Sequence, residues 1–139
     1  MVMIMKLPWK LPLLLDGATG TQLIKSGMLP DVCPEQWILQ HPDVLTSLQQ
    51  RYAEAGSDVL YTPTFGANRA CFSKFGLGDR VAEMNKQLTA LTRSVAENNR
   101  DRRVLVAGCM ASTGLLPAPW GDTPFAELED IYREQANAL

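Results

Sequence analysis

Residues 55–69, which read AGSDVLYTPTFGANR, decide how this 139-residue chain folds. Gly56 follows a segment, residues 43–55, whose apolar side chains recur at helical spacing, and a glycine in that place is typical of a left-handed helix cap. The apolar run 59–62 then predicts a short strand, which Pro63 ends because proline lacks the N–H that a sheet ladder needs. A helix followed at once by a short buried strand predicts the repeating pattern of a parallel α/β sheet.

The same pattern recurs on both sides of this stretch. Two further strands are predicted, each an apolar run that ends close to a glycine: residues 11–15 and 104–107. Further helices are predicted from helical spacing and from their flanking caps: residues 19–26, 68–75, 81–98 and 124–139. Asp79 and Thr123 are the expected N-caps of the last two, with Pro124 at the first helical position. Residues 28–40, which contain three prolines or aspartates, predict a loop.

The predicted strands begin near residues 11, 58 and 104, a spacing of about 46, which indicates three βα units with right-handed crossovers. Two fold families have this pattern, the doubly wound sheet and the TIM barrel. Three strands cannot close a barrel, which needs eight strands and about 250 residues. The chain is therefore either a small open sheet or the first third to half of a barrel. In a partial barrel, the inner ends of Leu13, Leu60 and Leu105 would lack partner side chains.

Composition excludes several classes of protein. The chain is 46% hydrophobic and 20% charged with a net charge of −2, which indicates one ordinary globular domain and no nucleic-acid binding. No run approaches the roughly 20 apolar residues that cross a membrane.

Residues 1–10 are interpreted as an N-terminal leader and residues 11–139 as the domain. Three widely spaced cysteines indicate the reducing cytoplasm and do not form a zinc motif: Cys33, Cys71 and Cys109.

Candidate chemistry lies in the loops that follow the predicted strands, where parallel α/β folds collect functional groups. Asp16, Gly17 and Gly20 suit an amino-acid ligand, because the glycines let backbone amides approach its carboxylate while Asp16 meets its ammonium group. The alternative is that Asp16 and Gly17 only make a tight turn. The stretch DGATGT lacks both the spacing of a dinucleotide fingerprint and the lysine of a P-loop.

The second strand ends in two threonines that lie on one face of an extended segment. The hydroxyls of Thr62 and Thr64 can line a pocket or can equally satisfy local backbone groups.

His41, the single histidine, precedes a proline and a helix, which favours a capping or surface role over catalysis. The sequence therefore predicts no catalytic residue and no metal ligand in this chain.

Three stretches together resemble the homocysteine S-methyltransferase family. They occur in the family's order and spacing over about residues 12–139: LLLDGATGTQL, AGSDVLYTPTFGANR, and VAGCMASTG with WGDTPFAELEDIYREQANAL. The likeness is greatest to the homocysteine-binding module of cobalamin-dependent methionine synthases. It implies the N-terminal portion, about three βα units, of a TIM barrel of about 300 residues.

The resemblance also implies a reaction and its partners. In the family, a zinc-bound homocysteine thiolate takes a methyl group to give methionine. The zinc ligands, a lone cysteine and a Cys-Cys pair, are expected beyond Leu139, so residues 1–139 alone are expected to be inactive. Asp16, Gly17 and Ala18 match the loop that receives the amino and carboxylate groups of homocysteine, and Thr62 and Thr64 match residues that line the same pocket.

The methyl donor and the partner segments follow from the same resemblance. Betaine-using relatives carry a tyrosine where Gly66 stands, which favours methyl-cobalamin as the donor. The expected partners are homocysteine, the C-terminal remainder of the barrel, and folate and cobalamin modules. The alternative is a complete small α/β binding or interaction module without catalysis.

Overall fold

The computed structural model describes residues 11–139, so the predicted leader, residues 1–10, lies outside the described residues. This part of the chain contains two short strands and six α-helices. In order they are α1 (Gly20–Lys25), α2 (Pro34–Gln40), α3 (Pro42–Ala55), β1 (Val59–Tyr61), α4 (Arg69–Ser73), a 3₁₀ turn (Gly78–Arg80), α5 (Val81–Asn98), β2 (Leu105–Ala107) and α6 (Phe125–Ala138). No helix in this part of the chain is long and apolar enough to cross a membrane.

The strands β1 and β2 pair in parallel, with Val59 opposite Leu105 and Tyr61 opposite Ala107. The crossover between them contains α4 and α5, as the βα pattern predicts. On the other edge of β1, Leu15 forms a parallel bridge with Val59. The polypeptide before Asp16 therefore extends the sheet to three neighbouring segments.

The first predicted strand, residues 11–15, is wrong in its length, because Leu15 is its one residue that bridges to β1. The carbonyl of Leu14 accepts from the N–H groups of Asp58 and Val59, but the N–H of Leu14 donates to the Asp58 side chain at 2.9 Å. That side chain takes the place of a strand partner. Pro12 has no N–H to continue the ladder.

The expectation that Leu60 lines an inner face is also wrong. Leu60 is fully buried and packs in the helical layer, with four other buried residues: Ala53, Val95, Ala96 and Val104. Because side chains alternate along a strand, Val59 and Tyr61 lie on the opposite face, where Tyr61 is 39% exposed. The same alternation puts Leu105 on that opposite face and Val106 beside the helical layer.

A second core cluster lies between helices α1 to α5. Its largest fully buried members are Leu23, Ile38, Leu45, Phe72, Met84 and Leu88. Helix α5 contributes through one apolar stripe, as its steps of three and four predict. At the end of α3, Gly56 has φ of 112°, which confirms it as the left-handed cap.

Several predicted boundaries differ from the structure. Residues 34–40, predicted as loop, form α2, because Pro34 occupies the first turn, where its missing N–H has no cost, and Ile38 buries its side chain. Asp79 lies within the 3₁₀ turn and does not cap α5, whose N-cap is Arg80. Helix α6 begins at Phe125, one residue after the predicted position.

His41 has the capping and surface position that the sequence favours. It is exposed, ends α2 and precedes α3, and its Nδ1 lies 2.9 Å from the carbonyl oxygen of Trp37. Its ring stacks on the Trp37 indole with centroids 4.3 Å apart. These contacts account for the histidine without any catalytic role.

Candidate functional site

The candidate site lies where the paired strands end. The loop after Leu15, the loop after β1 and the start of the loop after β2 meet at this edge of the sheet. Asp16, Thr62, Thr64 and Cys109 are joined there through hydrogen bonds to one another or to the neighbouring backbone. The edge is the C-terminal one for both strands, which is where parallel α/β folds place their ligands.

Asp16 is half-buried and fixed at one oxygen. Its Oδ2 accepts a hydrogen bond from the N–H of Tyr61 at 3.1 Å, in the place that a backbone carbonyl would hold in a longer strand. Its Oδ1 accepts no hydrogen bond from any other residue in 11–139. Burial raises the pKa of the Asp16 carboxyl above its ordinary value, against the lowering effect of the Tyr61 N–H. One carboxylate oxygen is therefore oriented by the end of β1, and the other is not held by another described residue.

Gly17 and Ala18, the other predicted residues of this loop, contact a tyrosine of α3. The hydroxyl of Tyr52 donates to the carbonyl oxygen of Ala18 at 2.7 Å. A Cβ placed on Gly17 would lie 2.8 Å from the ring of Tyr52, so a larger residue there would have to displace the end of the tyrosine side chain. The sequence analysis missed this contact because the helical spacing of Tyr52 indicated no more than a core position.

The two threonines form a closed ring of hydrogen bonds with Cys109. The Cys109 N–H donates to Thr62 Oγ1 at 3.0 Å, and Thr64 Oγ1 donates to the Cys109 carbonyl at 2.7 Å. The two hydroxyl oxygens lie 2.6 Å apart, so the Thr62 hydroxyl must donate to Thr64. Both threonines are buried, and their protons are directed within the protein. The ring ties the end of β1 to the end of β2.

Glu35 is a second residue that the sequence analysis missed. It is 5% exposed, and its Oε1 accepts from the N–H of Gly66 at 2.8 Å. The Cys33 thiol donates to its Oε2 at 3.5 Å. The signal was present in the sequence, since a glutamate directly after a proline is typical of a helix start. Recognising that helix would have moved Glu35 from a loop to the edge of the site.

A cavity of about 350 Å³ opens between these elements. Its walls are formed by α1, α2, the loop after β1 and the end of β2, with these residues among them: Gly20, Leu23, Glu35, Thr62, Phe65 and Cys109. Of the five predicted site residues, Thr62 is the one that lines this cavity; Asp16, Gly17 and Ala18 immediately precede the lining residue Thr19 in the chain, and Thr64 lies behind Thr62. The space is adequate for a small amino acid.

The residues at this edge do not fit a zinc ion. Within 11–139, no three histidine, cysteine, aspartate or glutamate side chains come close enough together to hold a metal. The three cysteines are free thiols. Burial raises the pKa of Cys33 to about 11, and burial together with the charge of Asp16 raises the pKa of Cys109. Both thiols therefore favour the protonated form, which is a poor metal ligand.

Comparison with known proteins shows that this chain is similar in sequence to two methionine synthases. Over 129 residues, this chain is 35% identical to the methionine synthase of Mycobacterium tuberculosis and 33% identical to that of Mycobacterium leprae. Each alignment covers 87% of this chain and 11% of the relative. The chain thus spans about a tenth of the length of the curated relatives it matches.

Two solved structures share the fold. The oxidized form of the homocysteine methyltransferase MmuM from Escherichia coli superposes with a TM-score of 0.72 at 24% identity, covering 91% of this chain and 48% of that one. The metallated form gives a TM-score of 0.71 at 23% identity, with 94% and 50% covered. The described α/β fold with its parallel sheet therefore corresponds to about half of those chains. The sequence profile of the homocysteine S-methyltransferase family matches residues 13–139, and the chain belongs to that family.

Proposed function

We propose that this chain forms the homocysteine-binding part of a methyltransferase that converts homocysteine to methionine, as the N-terminal portion of a TIM barrel. Three facts support the proposal. The family profile matches residues 13–139. This chain covers about half of the length of each solved relative. The described strands are parallel, and helices form the crossover between them. In such a barrel the ligand lies at the C-terminal ends of the strands.

The observation that carries the proposal is the geometry of Asp16. One oxygen of its carboxylate is fixed by the Tyr61 N–H, while the other is left without a partner from another described residue. A fixed, half-buried carboxylate oxygen is suited to the ammonium group of an amino acid. In this proposal the backbone amides of the loop 17–20 bind the carboxylate of the same amino acid, Thr62 lines the cavity, and Thr64 holds the Thr62 hydroxyl in place through their hydrogen bond. We propose these roles for Asp16, Gly17, Ala18, Thr62 and Thr64.

The methyl-transfer chemistry belongs to residues outside this sequence in our proposal. Because the described residues do not fit zinc, we place the metal ligands beyond Leu139, as the family resemblance implies. We also propose methyl-cobalamin as the donor, since the matched relatives are methionine synthases and a glycine stands at position 66. The C-terminal remainder of the barrel and folate and cobalamin modules are the proposed partners, and residues 1–139 alone are proposed to be inactive.

The test uses the complete reading frame that encodes residues 1–139, with whatever flanks them. Purified protein is titrated with L-homocysteine under reducing conditions and assayed for methionine with methyl-cobalamin or betaine as donor. We expect homocysteine binding and methionine formed from methyl-cobalamin. A complete protein that binds no homocysteine contradicts the proposed function, and one that uses betaine alone contradicts the proposed donor.

A further inference from the structure

Tyr52 joins the first long helix to the loop that we propose as the amino-acid site. It lies on α3, and its hydroxyl donates to the Ala18 carbonyl at 2.7 Å. The edge of its ring lies against Gly17, where a Cβ would be 2.8 Å from Cε1 and 2.9 Å from the hydroxyl oxygen. One side chain therefore both binds the loop and fills the space beside it.

This contact fixes the direction of a peptide group. In a trans peptide the C=O and the next N–H point in opposite directions. Because the Ala18 carbonyl points towards Tyr52 and α3, the N–H of Thr19 points away from the helical layer. That N–H donates to no other group of residues 11–139, so it remains available to a ligand.

We infer that Tyr52 is a positioning residue for the amino-acid-binding loop, and this inference rests on the proposed function. Tyr52 does not touch the substrate; it holds the 18–19 peptide so that the Thr19 N–H faces the substrate carboxylate. Asp16 is held independently by the Tyr61 N–H at 3.1 Å. The loop is thus fixed from the sheet on one side and from α3 on the other, and the two groups that bind opposite ends of an amino acid keep a constant separation.

The first test replaces Tyr52 by phenylalanine in the complete reading frame, which keeps the ring and removes the hydroxyl. We expect the KM for homocysteine to rise about two- to tenfold, the range for loss of one neutral hydrogen bond, with kcat changed less than twofold. Hydrogen–deuterium exchange is expected to quicken in peptides that cover residues 16–20. The matched control is Tyr132→Phe on α6, since the Tyr132 hydroxyl makes no hydrogen bond within the described part of the chain; it should leave KM and loop exchange unchanged.

The second test measures the steric part of the contact by a double-mutant cycle. Gly17→Ala should raise the KM for homocysteine more than Tyr52→Phe does, because its methyl group would displace the ring. In a Tyr52→Leu background, which removes the ring, Gly17→Ala should cost at least threefold less than in the wild type. Strict additivity of the two changes would contradict the inferred contact.

The outcomes separate this inference from the proposed function. If Tyr52→Phe leaves both KM and loop exchange at wild-type values, the positioning role is wrong while homocysteine binding stands. If the wild-type protein binds no homocysteine but Tyr52→Phe still quickens exchange of residues 16–20, the proposed function fails and Tyr52 remains a purely structural support. A rise in KM with unchanged exchange would also overturn the inference, since the loop would then not be what Tyr52 holds.

Discussion

The Glu35 carboxylate binds the N–H of Gly66 at 2.8 Å, which joins the first turn of α2 to the loop after β1. Glu35 is buried and Gly66 is partly buried, and the contact leaves so little space that a Cβ on Gly66 would lie 3.0 Å from Oε1. Helix α2 and this loop both line the cavity. Two elements that line the cavity are therefore joined by a hydrogen bond between residues 31 positions apart in the sequence.

Replacing Glu35 should destabilise the protein. Glu35→Ala leaves the partly buried Gly66 N–H without its carboxylate acceptor, which costs about 1–3 kcal/mol of unfolding free energy. Glu35→Gln keeps an acceptor oxygen and should cost less. Urea unfolding of the complete protein measures both, with Glu97→Ala on the exposed face of α5 as the control. Equal midpoints for Glu35→Ala and the wild type would show that the hydrogen bond does not hold the loop.

Replacing Asp16 should weaken substrate binding. Asp16→Ala removes a charge-assisted contact with the homocysteine ammonium group, which is worth about 1.5–3 kcal/mol, or roughly tenfold to a hundredfold in affinity. Zinc content should change little, because no described residue near Asp16 fits a metal site. Isothermal titration and metal analysis of the complete protein test both parts. Asp31→Ala, an exposed carboxylate on the loop before α2, is the control, and unchanged affinity in Asp16→Ala would refute the assignment.

The ionisation of Asp16 should make binding depend on pH. Its pKa in the ligand-free protein is raised above 3.8 by burial, so the folded protein holds this proton more tightly than the unfolded chain does. Its contribution to stability is therefore greatest below 3.8 and is lost as the pH rises through the folded pKa. In the proposed function homocysteine binds the ionised form, so its affinity should fall as the pH drops through that same pKa. NMR titration of the Asp16 carboxyl should show its pKa above 3.8, and lower again once homocysteine is bound; a pKa at or below 3.8 without ligand would contradict this.

The cysteines should differ in reactivity. With a pKa of about 11, Cys33 is thiolate to only about 0.1% at pH 8, and its side chain is buried. We expect iodoacetamide to modify Cys71 and Cys109 well before Cys33, as read by peptide mass spectrometry of the native protein. In Glu35→Gln the negative charge beside the thiol is gone, so Cys33 should react faster than in the wild type. Preferential labelling of Cys33 in the native protein would contradict the buried contact with Glu35.

Residues 1–139 expressed alone should be inactive and prone to associate. Both outer edges of the short sheet, at the Leu15 segment and at β2, have unpaired backbone groups within the described residues, which favour intermolecular pairing. Large apolar side chains are also exposed, Trp120 by 80% and Phe125 by 73%. We expect oligomers by light scattering, no stoichiometric zinc and no methionine formation. A stable, active monomer with one bound zinc would contradict the partial-barrel proposal and favour a complete small module.

Local patterns predicted most of the fold because they depend on neighbouring residues. The apolar stripe of α5, the cap at Gly56 and the order of strands and helices follow from spacing and from glycine conformation. Helix α2 was missed because its seven residues are too few for a clear period, and its buried glutamate resembles a surface residue in sequence. The first strand was overestimated because the side chain of Asp58 replaces a strand partner, which no local pattern reveals.

The site was predictable to a smaller extent, since it is made by contacts between distant segments. Asp16 could be selected because it ends an apolar run beside a glycine. The partners that orient the site are 34 to 47 residues away in sequence: Tyr52 for Ala18, Tyr61 for Asp16, and Cys109 for Thr62. Such pairings depend on the register of the sheet, which became available only with the structure.

The two oxygens of Asp16 have different partners, so folding and ligand binding would constrain this residue separately. Oδ2 accepts the Tyr61 N–H at the end of the sheet, whereas Oδ1 is the oxygen that we propose for the ligand. Selection for folding alone would therefore preserve an acceptor oxygen at this position, which either aspartate or asparagine supplies. A change to asparagine would keep the end of the sheet and remove the charge that the proposed amino-acid site needs. For that proposed site, the mark of retained binding in a divergent copy is thus the carboxylate together with the glycine and tyrosine that shape its loop, and not an acceptor oxygen by itself.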